Sequence, residues 1–180
     1  MADYSFASDN TAGACPEAME ALLAANAGFA SGYGTDHVTA RAADLVRGLL
    51  DADADVRFVA SGTAANSVAC AALCRPFEAV IAHEHAHICT DETGAPGFFG
   101  QGLGLIPLKG ASGKIDGAAL DAALAQTDVS YRQSAAALSL TNATEFGTVY
   151  TTDAVRALTG KAKAAGLPRS EERRVGKECQ

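Results

Sequence analysis

Three histidines alternate along one short segment of the chain and are the residues best suited to chemistry. His83, His85 and His87 follow an apolar run within AVIAHEHAHICTDETGAP, residues 79–96. If a strand continues through them, alternation places all three imidazoles on one face. Because neutral imidazole is the commonest metal ligand in proteins, a zinc or copper site is one hypothesis.

The alternative is that only one of these histidines faces a ligand. A metal site needs a further ligand and supporting hydrogen bonds, whereas a strand at the carboxyl edge of a parallel sheet usually presents one polar side chain to the crevice. We therefore expect His87 to reach a ligand and no metal to be bound. His83 and His85 are expected to be solvated residues at the strand end.

A second segment, VRFVASGTAANSVACAAL at residues 56–73, is typical of a buried strand, a Ser-Gly-Thr turn and a small-residue helix. Gly62 lets a ligand approach the backbone, while Ser61 and Thr63 can cap the first amide groups of the helix. The helix dipole favours an anion at this end, so the turn is a candidate phosphate site. An ordinary strand-to-helix turn is the simpler explanation of the segment taken alone.

Strands and helices that alternate along the chain must position these residues. We predict strands at 56–60, 79–82, 104–108 and 135–140, and helices at 16–25, 39–50, 64–73, 117–125 and 152–165. Asp116 is the predicted N-cap of the helix at 117, Thr152 or Asp153 that of the last helix, and Gly166 its end. This order predicts an α/β fold with a mostly parallel sheet flanked by helices and a ligand crevice at the carboxyl ends of the strands.

Composition and charge restrict the classes of partner. The 180 residues are 48% hydrophobic and carry a formal net charge of −7, which argues against nucleic acid or an anionic membrane as a partner. Residues 1–11 are polar and lack the pattern of a signal peptide. Cys70 and Cys74 lie four apart on a predicted helix, a spacing that suits buried thiols in a reducing compartment, so we expect a cytoplasmic protein.

Five segments of the chain resemble the threonine aldolase and β-eliminating lyase group of pyridoxal-phosphate enzymes. The segments are SFASDNTAGACPEAMEAL at 5–22, GYGTD at 32–36, SGTAAN at 61–66, AHICTDETGAP at 86–96 and SLTNATEFGTVYT at 139–151. They occur in the family's order and spacing. The resemblance implies the aspartate-aminotransferase type of fold, of which residues 1–168 would be the N-terminal, incomplete part of the cofactor-binding large domain.

The resemblance also implies roles for individual residues. Gly62 and Thr63 would hold the phosphate of pyridoxal 5'-phosphate, and His87 would stack on the pyridine ring and aid catalysis. Ser8 would lie near the substrate carboxylate. The implied substrate is a β-hydroxy-α-amino acid, threonine or allo-threonine, cleaved to glycine and an aldehyde, and the full-length protein would be a homo-oligomer. One departure is Thr144, followed by Glu145, where many of these aldolases carry a histidine.

Two parts that the resemblance requires do not occur in this sequence. The family's pyridine-nitrogen carboxylate comes from an Asp-Gly-Ala-Arg segment on the strand after the last helix, and its cofactor lysine lies further downstream. Here the helix is followed by RSEERRVGKECQ, residues 169–180, which resembles the translation of a sequencing adaptor. We interpret it as an artefactual charged tail, expect it to be exposed without a regular element docked on the core, and expect the 180-residue chain to be inactive.

Two alternatives to an aldolase stay open on the sequence. The first is a pyridoxal-phosphate-dependent β-eliminating lyase that acts on another amino acid. The second is a non-catalytic module that uses the Ser-Gly-Thr turn to bind a phosphate or a nucleotide.

Overall fold

The computed structural model describes residues 11–126 and 131–173. These residues divide after Val59 into two compact units. The first unit contains helices α1 (Pro16–Ala25) and α2 (His37–Leu50). The second contains the remaining elements, which are α3 (Gly62–Leu73), β1 (Glu78–His83), α4 (His87–Thr90), α5 (Ala95–Phe99), β2 (Gly104–Leu108), α6 (Gly117–Leu124), β3 (Ser134–Asn142), α7 (Thr152–Ala164) and β4 (Arg169–Arg173).

The first unit is helical, and its second helix begins two residues earlier than predicted. Asp36 caps α2, and its Oδ1 accepts hydrogen bonds from the backbone N–H groups of Val38 and Thr39 at 3.0 and 2.9 Å. The bond from the Thr39 amide is the main cause that lowers the pKa of Asp36. The strand predicted at 56–60 is wrong, because these residues form no ladder and Phe58 is 57% exposed. A strand is defined by its pairing partner, and the described residues offer this segment none.

The second unit is built around a four-stranded sheet in the order β2-β1-β3-β4, and every pair of strands is parallel. The predicted strand at 104–108 is confirmed, while β1 and β3 extend beyond their predicted ends. From β1 the chain crosses to β2 on one side, whereas from β3 it crosses to β4 on the other. The carboxyl ends of β1 and β3 therefore form the topological switch point where ligands bind in open α/β sheets.

Each face of this sheet buries its own apolar layer. Val80, Ala82 and Ala137 face one cluster and Ile81, Leu138 and Leu140 the other, as period-2 alternation requires. The first cluster includes Cys70 and Cys74 of α3, and the second includes residues of α6 and α7. Burial raises the pKa of the Cys70 thiol to about 11. The α/β prediction, a parallel sheet flanked by helices, is thus confirmed.

The residues after α7 depart from the prediction for the tail. Gly166 adopts the left-handed conformation at φ +77°, which ends the helix as predicted. The chain then returns beside β3, and β4 pairs with it in parallel from Leu138↔Arg169 to Asn142↔Arg173. The expectation that no regular element docks here is therefore wrong for residues 169–173. Strand pairing uses backbone groups, so a charged sequence can still add to an open edge. Val175 lies outside the described residues.

The helix caps follow the predicted chemistry with one shift of position. Asp116 Oδ1 accepts hydrogen bonds from the amides of Ala118 and Ala119 and caps α6, as predicted. The cap of α7 is Thr151, not Thr152 or Asp153, and its Oγ1 accepts from the amide of Ala154 at 3.2 Å. Of the helices in the described ranges, none is both long and apolar enough to cross a membrane.

Candidate active site

The first turn of α3 is open at Gly62. Ser61 is the N-cap, and its Oγ accepts a hydrogen bond from the backbone N–H of Ala64 at 3.1 Å. Thr63 lies inside the helix, so of the two predicted capping residues Ser61 takes the role. A Cβ placed on Gly62 would meet no atom within 4 Å. An anion can therefore approach the first amide groups of this 12-residue helix without displacing a side chain.

His87 begins the short helix α4, four residues after the end of β1. Its Nδ1 lies 2.9 Å from Oε1 of Glu92, and its side chain is 25% exposed. Glu92 is located in the turn between α4 and α5, and its side chain is completely buried. His87 thus presents part of its ring to solvent while one of its nitrogens is held from behind by a buried carboxylate.

Asn66 connects this pair to α3. Its Nδ2 donates a hydrogen bond to Oε1 of Glu92 at 2.7 Å, so one carboxylate oxygen receives both Asn66 and His87. Asn66 lies four residues after Gly62 and therefore on the same side of the helix. We call Asn66, Glu92 and His87 the Glu92 triad. It ties the candidate phosphate site to the candidate ring-stacking histidine near the carboxyl end of β1.

Neither the contact of Glu92 with His87 nor the role of Asn66 was predicted from the sequence. Both residues fall inside the segments that carry the resemblance, but neither type, on its own, indicates a contact across 26 positions. The available signal was an acidic residue five positions after His87.

Two further features surround the triad. Nδ2 of Asn66 also donates to Oε2 of Glu172 on β4 at 3.3 Å. Oε2 of Glu92 and Oγ of Ser67 are buried and have no hydrogen-bond partner among residues 11–126 and 131–173. Buried polar atoms without a partner are uncommon in folded proteins. Removal of such a group should therefore cost little stability, because no hydrogen bond is lost with it.

His83 and His85 do not extend the alternation seen in the sequence. The strand ends at His83, which is buried, so the expectation that His83 is solvated is wrong. Its Nε2 lies 3.1 Å from the carbonyl oxygen of Gly110, and its Nδ1 accepts from the backbone N–H of His85 at 3.1 Å. The side chain of His85 is 54% exposed, as expected. The ring centroids of His83 and His85 lie 5.7 Å apart, whereas His87 begins a separate short helix. The described residues contain no group of three ligands arranged for a metal.

Thr144, which stands where many related aldolases carry a histidine, holds a turn. Its Oγ1 lies 2.9 Å from that of Thr148 and accepts from the amide of Phe146 at 3.3 Å. Glu145 is exposed. The ring of His85 lies 5.4 Å from the ring of Phe146, so an imidazole from a different loop borders this turn. Ser8, the predicted contact of the substrate carboxylate, lies outside the described residues.

Comparison with known proteins adds independent findings. Residues 5–169 match the family described as beta-eliminating lyase. The chain is 45% identical over 170 residues to a low specificity L-threonine aldolase of Pseudomonas aeruginosa, covering 93% of this chain and 49% of that protein. A second low specificity L-threonine aldolase, from another Pseudomonas strain, is 44% identical with the same coverage. The chain thus spans about half the length of the curated relatives it matches.

A solved structure shares the fold. A threonine aldolase from Leishmania major superposes with a TM-score of 0.84 at 33% sequence identity, over 89% of this chain and 47% of that one. The parallel sheet and its flanking helices therefore correspond to part of a larger α/β protein.

Proposed function

The chain belongs to the beta-eliminating lyase family, and from that premise we propose that it is part of an aldolase that cleaves a β-hydroxy-α-amino acid such as threonine to glycine and an aldehyde. The family depends on pyridoxal phosphate. The observation that carries the proposal is the Glu92 triad, which joins the helix with the open Gly62 turn to His87 at the switch point of the sheet. A phosphate site and a planar imidazole beside it are what a phosphorylated heteroaromatic cofactor requires.

The residues present fit this cofactor in two respects. Gly62 and Thr63 would hold its dianionic phosphate at the start of α3, where the helix dipole and free amide groups favour an anion. His87 would cover the face of its ring, and Ser8 would lie near the substrate carboxylate. When bound, pyridoxal phosphate supplies an electron sink for the bond that breaks between Cα and Cβ. His87 is the residue that we propose to hold or move a proton beside that bond.

The family's lysine and Asp-Gly-Ala-Arg segment are not assigned to any residue here. Lys161 lies on α7 and pairs with Asp121, which suits a surface position. Glu172 on β4, the strand that follows the last helix, brings a carboxylate to Asn66. It lies within Ser-Glu-Glu-Arg, residues 170–173, which does not match the family's Asp-Gly-Ala-Arg segment. We therefore propose that the 180-residue chain does not cleave threonine by itself.

Binding of the cofactor's phosphate tests the proposed site without requiring catalysis. We expect the chain to bind pyridoxal phosphate more tightly than pyridoxal, measured by fluorescence titration. Gly62→Asp should weaken binding of pyridoxal phosphate at least about tenfold, because it places a second negative charge beside the phosphate. The helix should survive, since an acidic residue in the first turn of a helix is stabilising and the site has room for a side chain.

A matched control adds the same charge elsewhere. Gly160 lies on α7, is exposed, and a Cβ there would also meet no atom within 4 Å. Gly160→Asp should leave the affinity for pyridoxal phosphate unchanged. Equal binding of pyridoxal and pyridoxal phosphate, or an unchanged affinity in Gly62→Asp, would contradict the proposed phosphate site. Binding of a nucleotide in preference to pyridoxal phosphate would favour the non-catalytic alternative.

The remaining parts of the proposal concern setting and partners. We propose a cytoplasmic location, because the cysteines Cys70, Cys74 and Cys89 carry free thiols. The proposed partner is a free amino acid, with assembly into a homo-oligomer at full length. Elimination from another amino acid is the second candidate, and the description of the matching family, beta-eliminating lyase, favours it.

A further inference from the structure

A single oxygen of Glu92 receives two hydrogen bonds in a fully buried setting. Asn66 Nδ2 lies 2.7 Å and His87 Nδ1 lies 2.9 Å from Oε1, and the side chain of Glu92 has no exposed surface. An ionised carboxylate has only acceptors, so with Glu92 ionised the hydrogen on this contact belongs to Nδ1 of His87. In a neutral ring the other nitrogen, Nε2, is then unprotonated and able to accept a proton.

We propose that Glu92 is a positioning residue that fixes His87 as the Nδ1–H tautomer and thereby makes Nε2 the nitrogen that handles protons at the cofactor site. The significance for catalysis rests on the proposed function, whereas the tautomer follows from this chain's own contacts. Asn66 fixes the carboxylate from α3, so the orientation of the imidazole is coupled to the helix that carries Gly62.

His83 provides an internal reference with the opposite tautomer. Its Nε2 faces the carbonyl oxygen of Gly110, which can only accept, and its Nδ1 accepts from the backbone N–H of His85. His83 must therefore carry its proton on Nε2. Two histidines four residues apart are thus held in opposite tautomers, one by a carboxylate and the other by two backbone groups.

Nitrogen NMR of the 180-residue chain, labelled with ¹⁵N in the histidine rings, tests the proposal directly. The spectra are recorded at a pH where the rings are neutral, and single His→Asn variants assign the signals. We expect protonated Nδ1 and unprotonated Nε2 for His87, with the reverse pattern for His83. Predominant Nε2–H in His87, or an even mixture of its two tautomers, would overturn the proposal.

Variants of Glu92 separate positioning from general support of the fold. Glu92→Gln keeps an oxygen that can accept both hydrogen bonds, so the Nδ1–H tautomer should persist. Glu92→Leu removes the acceptor, and the preference of His87 for Nδ1–H should fall at least about tenfold. The control variant is Asp91→Asn, because Asp91 is an exposed neighbour of Glu92 that accepts a hydrogen bond from Thr90. This variant should leave the tautomer of His87 unchanged. An unchanged tautomer in a folded Glu92→Leu protein would refute the role of Glu92.

If Glu92→Leu does not fold, the tautomer of His87 is still measured in the spectra of the unchanged chain and of Glu92→Gln. Titration of the unchanged chain with pyridoxal phosphate is measured separately. Absence of cofactor binding together with Nδ1–H in His87 would count against the proposed function and leave the positioning role intact. Cofactor binding together with Nε2–H in His87 would count against the positioning role alone.

Discussion

Replacement of Asn66 by alanine should destabilise the second unit, because it removes the donor that lies 2.7 Å from the buried carboxylate of Glu92. A hydrogen bond to a charged group contributes about 1.5–3 kcal/mol, and its loss leaves Glu92 with His87 as its remaining donor. Alanine is a better helix former than asparagine by about 0.5 kcal/mol, which offsets part of that loss. We expect Asn66→Ala to lower the free energy of unfolding by about 1–2.5 kcal/mol.

The next residue of the same helix supplies the control. Ser67 is buried, at 2% exposure against 8% for Asn66, but its Oγ has no hydrogen-bond partner in the described part of the chain. Ser67→Ala removes an unsatisfied hydroxyl and makes a similar gain in helix propensity, so the free energy of unfolding should stay level or rise by up to about 1 kcal/mol. The difference between the two variants reports the contribution of the bonds that Asn66 donates to Glu92 at 2.7 Å and to Glu172 at 3.3 Å.

Urea unfolding followed by circular dichroism measures both variants. With a typical slope of about 2 kcal/mol per molar urea, Asn66→Ala should unfold at a midpoint about 0.5–1.25 M lower than the unchanged chain. Equal slopes would confirm that stability, and not compactness, has changed. If Asn66→Ala and Ser67→Ala unfold at the same urea concentration, the hydrogen bond to Glu92 contributes no net stability, and the triad loses its energetic basis.

Two further predictions concern other buried groups. Tyr150→Phe removes the hydroxyl that accepts from the amide of Ile115 at 2.6 Å, and the buried N–H left behind should cost about 1–3 kcal/mol in urea unfolding; an unchanged midpoint would contradict this. Burial raises the pKa of Cys70 from 9.0 to about 11 and also raises the pKa values of Cys74 and Cys89, so the unfolded chain loses these protons first as pH rises. Their stabilising contribution should therefore be complete below about pH 9 and decline towards about pH 11, with a smaller decline in Cys70→Ala; stability that increases over this range would refute the assignment.

The fold class was predictable because apolar runs and helix caps are local signals. The strand at 104–108 and the helix at 16–25 coincide with their predicted bounds, and Asp116 caps its helix as predicted. What failed depends on distant partners. Among the described residues, the apolar run at 56–60 has no neighbouring strand, whereas the charged residues 169–173 pair with the free edge of β3.

The candidate site was predictable only in part, for the same reason. Gly62 and His87 could be predicted from the sequence, because a Ser-Gly-Thr turn carries the first and a segment after an apolar strand carries the second. Glu92 becomes significant only when the fold brings it to His87 and Asn66, 26 positions from the latter. The burial of His83 was not predictable, because nothing in the sequence shows that its Nε2 lies 3.1 Å from the carbonyl oxygen of Gly110.

Release of acetaldehyde from threonine tests the central claim most directly. The assay compares the 180-residue chain with an extended protein, in which residues 1–168 are followed by the residues that the genomic DNA encodes after codon 168. Both proteins are supplied with pyridoxal phosphate. We expect acetaldehyde from the extended protein and none from the 180-residue chain. Acetaldehyde from the 180-residue chain alone would contradict the proposal that this chain does not cleave threonine by itself. An extended protein that releases no acetaldehyde but eliminates a group from another amino acid would contradict the aldolase proposal and favour the lyase.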